Sequence, residues 1–293
     1  MRIKKAVIPA AGFGTRLYPA TKAVKKELFP VVGPDGVCRP AIQYSVEELA
    51  EAGVEEICII VQPGDGEDFK KYFSAPSPEL EAKLKPHHRT YSDYLDALGK
   101  RICFAYQVKQ EGYGHAVYCA REFVGDQPFL LLLGDHVYWT TEGPSCSEQM
   151  IGLQERFGCS ITAVCRVTSE LLPHLGAIAG DPLPDNALLI QVREFKEKPN
   201  LDYAQKHLRV PGLAEDEYYC HFGMHAFTPG IFEELEYLIR NNIRDRSEYQ
   251  LTAAQHRLVQ RESYLAYEIT GERYDIGLPQ EYARTVRLLA RPT

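Results

Sequence analysis

The chain has 293 residues with a formal net charge of −7, and 45% of its residues are hydrophobic. This composition is typical of a globular protein with enough core for one large α/β domain or two small ones. No run of Lys and Arg forms the basic face that nucleic-acid-binding proteins usually have, so the sequence argues against that class. A few cations gathered in one cleft could still bind a small phosphate ligand.

Neither a secretory signal nor a membrane span is recognisable in the sequence. The first residues run directly into a strand-like segment, and no apolar stretch is long enough to cross a bilayer. The eight cysteines form no C-x-x-C pair and no Cys/His cluster with zinc spacing, so we interpret them as reduced thiols. We therefore expect a cytoplasmic protein with no membrane or nucleic-acid partner. The sequence leaves the oligomeric state open, a homo-oligomer included.

Apolar runs alternate with helical patterns through the first half of the chain. Strands are predicted at residues 4–9, 56–61, 102–106 and 128–133, and helices at 40–52 and 114–123. This alternation predicts an α/β fold with a central, mostly parallel mixed sheet flanked by helices. Residues 74–99 interrupt the alternation because they are charged and helix-prone, and we predict a helical insertion there.

The second half is richer in strand patterns and closes with two helical ones. Strands are predicted at residues 160–167, 188–195 and 218–227, and helices at 249–262 and 280–289. No repeat, linker or low-complexity segment separates the two halves. We therefore expect a single domain over residues 1–293.

A glycine-rich turn, "PAAGFGTR", follows the first predicted strand directly. Its small residues let the backbone approach a ligand closely, and consecutive N–H groups in such a turn form an anion-binding nest. Arg16 adds a cation with several donors for phosphate oxygens. Leu17 stands where a dinucleotide fingerprint has its third glycine, and no Walker A lysine follows. For this segment alone, a tight strand–helix connection without a ligand is the alternative interpretation.

Charged residues extend this signal in two places. Lys22, Lys25 and Lys26 follow the turn closely. Such a cluster is usually a solvated surface, but beside a glycine-rich turn it can neutralise a triphosphate. Asp135 follows the most apolar run of the chain, "FLLLLG", which places it at the carboxyl end of a strand, where open α/β sheets bind ligands.

Together these residues resemble the signature of the sugar nucleotidyltransferases, which is G-x-G-T-R followed by a spaced Lys-Glu and Pro. Residues 12–16 read "GFGTR", and Lys26, Glu27 and Pro30 follow. The segments "PATKAVKKELFPVV", "YGHAV", "EKP" and "YDIG" are similar to family motifs in the same order. The chain most resembles the bacterial UTP–glucose-1-phosphate uridylyltransferases, whose helical insertion contains a segment similar to residues 79–85.

The resemblance implies a nucleotide-diphospho-sugar transferase fold and a Mg²⁺-dependent reaction between a nucleoside triphosphate and a sugar 1-phosphate. Matching positions imply catalytic roles for Arg16, Lys26, Asp135 and Lys198, and Mg²⁺ ligation by Asp135 and Asp275. Nucleotide-binding roles are implied for Ala10, Ala11, Gly12, Gly14, Thr15, Gln107, Gly112, His115 and Ala116, with Gln107 reading the uracil edge. Sugar-phosphate-binding roles are implied for Gly176, Glu197 and Lys198.

The implied chemistry explains why cations are needed on both sides of the site. An oxygen of the sugar phosphate attacks the α-phosphorus, and pyrophosphate leaves in line, so two anions must be brought together. Arg16 and Lys26 would stabilise the leaving pyrophosphate, and Lys198 would hold the incoming phosphate. The attacking group is already an anion, so no general base is required.

Several departures from the family pattern bear on the substrates. Leu175, Gly176 and Ala177 stand where the family has Tyr-Gly-Val, and Tyr218 stands where a family strand carries Asn. The expected substrates are UTP and glucose 1-phosphate, giving UDP-glucose and pyrophosphate. The first alternative is a thymidylyl- or cytidylyltransferase acting on another hexose 1-phosphate. The second is an inactive regulatory homologue, which the presence of both phosphate lysines and both aspartates disfavours.

Overall fold

The computed structural model describes residues 2–290, and one nine-stranded sheet runs through them. The strands are β1 Lys5–Pro9, β2 Pro30–Val32, β3 Cys38–Pro40, β4 Glu56–Val61, β5 Ile102–Tyr106, β6 Phe129–Leu132, β7 His136–Trp139, β8 Ser160–Thr168, β9 Gly176–Leu183, β10 Asn186–Glu197, β11 Glu217–Phe227, β12 Tyr264–Glu268 and β13 Glu272–Asp275. The α-helices are α1 Ala41–Glu51, α2 Gly66–Tyr72, α3 Pro78–Lys83, α4 Pro86–Gly99, α5 Tyr113–Tyr118, α6 Arg121–Val124, α7 Cys146–Phe157, α8 Leu201–His207, α9 Gly230–Arg240, α10 Leu251–Leu258 and α11 Pro279–Leu289.

The sheet has the strand order β5-β4-β1-β6-β11-β8-β12-β10-β9. Strands β5, β4, β1 and β6 are parallel to one another, whereas β11 is antiparallel to both β6 and β8. Beyond β11, β8 and β12 are parallel, and β10 is antiparallel to β12 and β9. The predicted α/β class is confirmed, but the parallel pairing is concentrated in the first half. The physical reason is connection length, since the short turn between β9 and β10 can join only antiparallel strands.

Apolar side chains cover both faces of the sheet. Along β1, Ala6 and Ile8 belong to one buried core and Val7 to the other, as the alternation of side chains along a strand requires. The first core contains residues of α1 and α7, and the second contains residues of α5, α9 and α10. The sheet is therefore buried between two helical layers, and its strand ends remain free to form a site.

The segment predicted to be a helical insertion is helical in the structure and contains α3 and α4, and its status as an insertion stays a prediction. Ser77 caps α3, because its side-chain oxygen accepts a hydrogen bond from the backbone N–H of Leu80 at 3.3 Å. The Tyr91 hydroxyl on α4 lies 2.6 Å from Nε2 of Gln43, which ties the insertion to α1.

Other sequence predictions differ in detail from the structure. The helix predicted at 114–123 is divided into α5 and α6, and the helix predicted at 249–262 is shortened to α10. No helix within residues 2–290 has the length and apolar character needed to cross a membrane. All eight cysteines are free thiols, in agreement with the sequence interpretation. The expectation of a single domain stays a prediction.

Candidate active site

The carboxyl ends of the parallel strands open onto one cavity of about 540 Å³. The glycine-rich turn follows β1, Gln107 follows β5, and Asp135 lies just beyond β6. We call this side of the cavity the parallel wall; it consists of Ala11, Gly12, Thr15, Arg16, Lys26, Gln107, Gly112, Ala116 and Asp135. Residues far apart in sequence meet here because parallel strands end at the same edge of a sheet.

The opposite side is built from the second half of the chain. Gly176 begins β9, Glu197 ends β10, His221 lies within β11, and Thr252 lies in the first turn of α10. We call this side the antiparallel wall; it consists of Gly176, Glu197, Lys198, His221, Gln250 and Thr252. Both predicted groups of site residues therefore face the same cavity from opposite sides.

Contacts within the protein fix the glycine-rich turn. The Gln62 side chain donates a hydrogen bond to the Ala11 carbonyl at 2.8 Å, and the Thr21 hydroxyl donates one to the Gly14 carbonyl at 3.0 Å. Gly14 has a φ of 65°, in the left-handed region that favours glycine. A Cβ atom on Gly12 would meet no protein atom within 4 Å, so this part of the backbone is open to close approach by a ligand.

Lys26 is the member of the lysine cluster that reaches the cavity. Its ammonium group pairs with Asp135 and lies 3.7 Å from Glu27, whereas Lys25 pairs with Asp65 at 2.5 Å. Burial opposes the charge on Lys26, but Asp135 and Glu27 outweigh it and raise its pKa. Lys26 is therefore a permanent cation beside the glycine-rich turn.

Asp135 and Glu27 respond differently to burial. For Asp135, burial favours the neutral form, but the charges of Lys26 and His136 outweigh it and hold its pKa below the ordinary value. For Glu27, burial dominates and raises the pKa to about 7, although Lys26 opposes the shift. One oxygen of Glu27 has no hydrogen-bond partner within the described residues. Near neutral pH, Asp135 is therefore ionised, whereas Glu27 is only partly ionised.

Asp275 approaches Asp135 from β13, the partner of β7. Its Oδ1 accepts a hydrogen bond from the backbone N–H of Gly277 at 2.6 Å, and its Oδ2 lies 3.6 Å from Nε2 of His136. Burial would raise its pKa, but His136 and the Gly277 N–H lower it to about 2. Asp275 is therefore an anion near neutral pH.

The carboxylates of the two aspartates lie close together beside Gly277. A Cβ atom on Gly277 would lie 2.8 Å from Oδ2 of Asp135 and 3.0 Å from Oδ1 of Asp275. Carboxylate oxygens are the ligands that Mg²⁺ prefers, and one or two of them are enough when phosphates and water complete the octahedron. No group of three or more metal-binding side chains is found in residues 2–290, so the pair fits an ion held partly by substrate.

Gln107 presents a fixed amide to the cavity. It is 3% exposed, and its Nε2 donates to the Gly112 carbonyl at 3.0 Å and lies 3.1 Å from Nδ1 of His115. Because a carbonyl can only accept, the Gly112 contact sets the amide with its nitrogen toward the protein. The Gln107 side-chain oxygen is then left to accept a hydrogen bond from a ligand.

Glu197 and Lys198 lie together on the antiparallel wall. Oε2 of Glu197 accepts a hydrogen bond from the Thr252 hydroxyl at 2.7 Å, and Oε1 lies 3.7 Å from the Lys198 ammonium. Lys198 has a φ of 43°, a left-handed conformation that few lysines adopt. Backbone outliers of this kind cluster at functional sites, where the surrounding structure holds a side chain in place.

Comparison with known proteins identifies the family to which this chain belongs. The family model described as nucleotidyl transferase matches residues 5–291. The chain belongs to the nucleotidyl transferase family. A UTP–glucose-1-phosphate uridylyltransferase of Bacillus subtilis (strain 168) is 37% identical over 281 residues, which cover 94% of this chain and 87% of the relative. An enzyme of the same name from Pseudomonas aeruginosa is 35% identical over 285 residues, covering 96% of this chain and 93% of the relative.

Solved structures agree with this family membership. The structure of an apo UDP-glucose pyrophosphorylase superposes with a TM-score of 0.82 at 30% identity, covering 98% of this chain and 97% of that chain. A UTP-bound UGPase from Acinetobacter baumannii superposes with a TM-score of 0.77 at 27% identity, covering 98% of this chain and 93% of that chain. The nucleotidyl transferase fold therefore extends over almost the whole chain.

Three residues expected from the nucleotidyl transferase motifs lie behind the cavity surface. Ala10 is 1% exposed and its N–H donates to the Ile60 carbonyl at 2.7 Å. Gly14 packs against Thr21, and His115 lies behind Gln107. These three residues adjoin the cavity lining without belonging to it, and their nucleotide-binding roles stay predictions.

The sequence interpretation missed several lining residues. They include His174, His221, His225, Gln250, Thr252, Gln255 and Arg273. The only sequence signal near Arg273 is its position two residues before Asp275 in "ERYDIG". His221 lies in a run of mostly apolar residues that predicts a buried strand, so nothing in the sequence indicates that it faces a cavity.

Proposed function

We propose that this nucleotidyl transferase joins UTP to glucose 1-phosphate and gives UDP-glucose and pyrophosphate. The observation that carries the proposal is the meeting of Lys26, Asp135 and Asp275 with Glu197 and Lys198 in one cavity. This arrangement supplies a cation to each of two anionic substrates and carboxylates to a shared ion. The relatives named for the same reaction support the choice of substrates.

The parallel wall would hold the triphosphate. The glycine-rich turn offers backbone N–H groups, and Arg16 and Lys26 place positive charge beside the phosphates. Charge develops on the pyrophosphate as its bond to the α-phosphorus breaks, so fixed cations there lower the barrier. Lys26 is oriented before substrate binds by its contact with Asp135.

The antiparallel wall would hold the sugar phosphate. Lys198 would attract the phosphate, and Glu197 would accept hydrogen bonds from sugar hydroxyls while the Thr252 hydroxyl, which donates to its Oε2, fixes its orientation. An oxygen of this phosphate forms the new bond to the α-phosphorus. The two walls therefore bring the reacting groups into line, which is the main demand of phosphoryl-type transfer.

Mg²⁺ would be held by Asp135 and Asp275, whose carboxylates lie close together beside Gly277. When bound, such an ion neutralises phosphate charge and acts as a Lewis acid. Both aspartates are ionised near neutral pH, so they are ready to bind a hard cation.

The fixed amide of Gln107 favours a uracil base. Uracil presents an N3–H donor between two carbonyl oxygens, whereas cytosine presents an unprotonated N3 there. A Gln107 oxygen that faces N3 can only accept, so it pairs with the N3–H of uracil and is repelled by the unprotonated N3 of cytosine. Thymine shares the N3–H group, so dTTP is the expected nearest competitor.

The test is a matrix of nucleoside triphosphates against sugar 1-phosphates, scored by pyrophosphate release with Mg²⁺ present. We expect UTP with glucose 1-phosphate to give the highest kcat/KM. A purine triphosphate that outperforms UTP would contradict the base assignment. A hexose 1-phosphate preferred over glucose 1-phosphate would contradict the sugar assignment and leave the reaction type intact.

A further inference from the structure

His221 occupies an unusual position in the antiparallel wall. It lies on β11 and lines the cavity, yet its Nε2 is buried and has no hydrogen-bond partner within the described residues. Its ring is held edge-on by Phe195 and by His225, each with ring centroids 5.5 Å away. Packing thus fixes the His221 ring in place, although an unpaired buried atom such as its Nε2 is unfavourable.

The space in front of this ring exists because position 176 is glycine. A Cβ atom on Gly176 would lie 3.0 Å from Nδ1 of His221 and 3.1 Å from Oε2 of Glu197. Both polar atoms therefore flank the side of Gly176 that lacks a side chain, no more than about 6 Å apart, a separation that one oxygen atom at hydrogen-bonding distance from each can bridge. A side chain at position 176 would fill this space.

The two atoms offer complementary hydrogen-bonding roles. Burial lowers the pKa of His221 to about 4, with a further contribution from the charge of Arg273, so the ring carries a single proton at neutral pH. The nearby Glu197 carboxylate favours that proton on Nδ1. Nδ1 then donates into the space and Glu197 accepts from it. A hydroxyl group, which both donates and accepts, satisfies both atoms at once.

We propose that His221, together with Glu197, recognises one hydroxyl group of the hexose 1-phosphate and thereby sets the sugar specificity. This inference rests on the proposed function and adds a specificity-determining residue to it. His221 donates from Nδ1 to the hydroxyl oxygen, and that hydroxyl donates to Oε2 of Glu197. A site built to hydrogen-bond a substrate hydroxyl rejects analogues that lack it, because its own polar groups are then left unpaired.

The test uses single-deoxy analogues of the hexose 1-phosphate that wild type uses best, at saturating UTP. Wild type is expected to lose roughly ten- to a hundredfold in kcat/KM with one analogue, the one lacking the recognised hydroxyl. His221→Phe is expected to lose about as much with the complete sugar. With that one analogue, His221→Phe and wild type are expected to be nearly equal. The KM for UTP should stay at its wild-type value.

Two further variants distinguish the nitrogen atoms of the ring. His221→Asn places an amide nitrogen near the position of Nδ1, and His221→Gln places one near Nε2. We expect His221→Asn to restore the preference for the complete sugar and His221→Gln to leave it lost. His207→Phe is the matched control, since the His207 ring packs against Tyr203 with ring centroids 4.6 Å apart and His207 does not belong to the cavity lining. That control should keep both the kcat/KM for the complete sugar and the ranking of the analogues.

If His221→Phe lost kcat/KM by the same factor with the complete sugar and with every analogue, the proposed role of His221 would be wrong. It would also be wrong if the KM of this variant for UTP rose as much as its KM for the sugar phosphate. Because Tm is measured for each variant, a folding defect is separated from altered recognition. If the wild-type protein released no pyrophosphate from UTP with any hexose 1-phosphate, the proposed function itself would be wrong. The two failures therefore have different signatures.

Discussion

The two walls of the cavity are built in different ways. Most of the parallel wall comes from loops that follow strands, and the residues from Gly12 to Lys26 lie in one short stretch of sequence. The antiparallel wall takes single residues from β9, β10, β11 and α10, which are far apart in sequence. The first wall combines backbone groups of the glycine-rich turn with side chains, whereas the second consists mainly of side chains.

This difference indicates how each wall could change during evolution. A loop that presents backbone N–H groups to phosphates tolerates little variation, because its glycines have no substitute of the same shape. Side chains on strand bodies can be exchanged individually while the sheet persists. We therefore expect the parallel wall to determine the reaction and the antiparallel wall to determine the sugar.

The largest expected effect lies where the two walls meet, at the aspartate pair. Asp135→Asn and Asp275→Asn should each raise the barrier by roughly 4 kcal/mol, or about a thousandfold in kcat, because each removes a charge that would hold Mg²⁺. The double variant should lose less than the product of the two factors, since both act through one ion. EDTA should abolish wild-type activity, and Mg²⁺ or Mn²⁺ should restore it. Activity that survives EDTA would refute the metal assignment.

The next largest effect is expected at the two lysines, Lys26 in the parallel wall and Lys198 in the antiparallel wall. Lys26→Ala should mainly impair use of the triphosphate and Lys198→Ala mainly use of the sugar phosphate. Hydrogen bonds to charged groups are worth about 1.5–3 kcal/mol, so roughly ten- to a hundredfold is expected in the kcat/KM for the affected substrate. Steady-state kinetics with each substrate varied in turn measures the split. Equal losses for both substrates in both variants would show that the walls do not divide the substrates.

Base recognition in the parallel wall should respond more weakly. Gln107→Ala should lower the preference for UTP over CTP by about tenfold, because one oriented acceptor is lost. Competition between UTP and CTP measures this ratio independently of the maximal rate. Use of the sugar 1-phosphate should be unchanged. A KM for the sugar phosphate that rises as much as that for UTP would show a general disturbance of the cavity.

The smallest effect concerns stability in the parallel wall. The raised pKa of Glu27 means that this group holds a proton more tightly in the folded protein than in the unfolded chain, so its contribution to stability falls as pH rises from about 4.5 to about 7. Glu27→Gln removes this dependence and should be more stable than wild type by on the order of 1 kcal/mol at pH 8. Urea unfolding at pH 5 and pH 8 measures it. A stability difference that does not grow with pH would contradict the assigned ionisation of Glu27.

The sequence predicted the parallel half of the fold more accurately than the antiparallel half. The strands at 56–61 and 102–106 have the predicted bounds, because continuous apolar runs between turn residues are strong strand signals. Strand β9 was not predicted, since "GAIAGDPL" contains glycine and proline and few residues that favour strands. Pairing with β10 and β11 stabilises it, and such long-range contacts cannot be seen in the local sequence.

The same limit applied to the site. Gly12, Lys26 and Asp135 stood out because each belongs to a recognisable local pattern, and all three line the cavity. His221 and Thr252 have no such pattern, and their place in the site depends on how the second half of the sheet folds. The helix predicted at 114–123 was interrupted because Ala120 leaves helical geometry, with φ of −90° and ψ of 1°. Local periodicity did not indicate that break.

The left-handed backbone at Lys198 has a consequence for the history of this chain. A non-glycine residue in that conformation costs about 1–2 kcal/mol, and Lys198→Gly would recover much of that cost. Selection for heat resistance alone would therefore favour replacing Lys198 and discard the cation. At position 198, substitutions that raise thermal stability are therefore expected to lower activity. Lineages that adapted to heat while keeping the activity should then have gained their stability elsewhere in the chain.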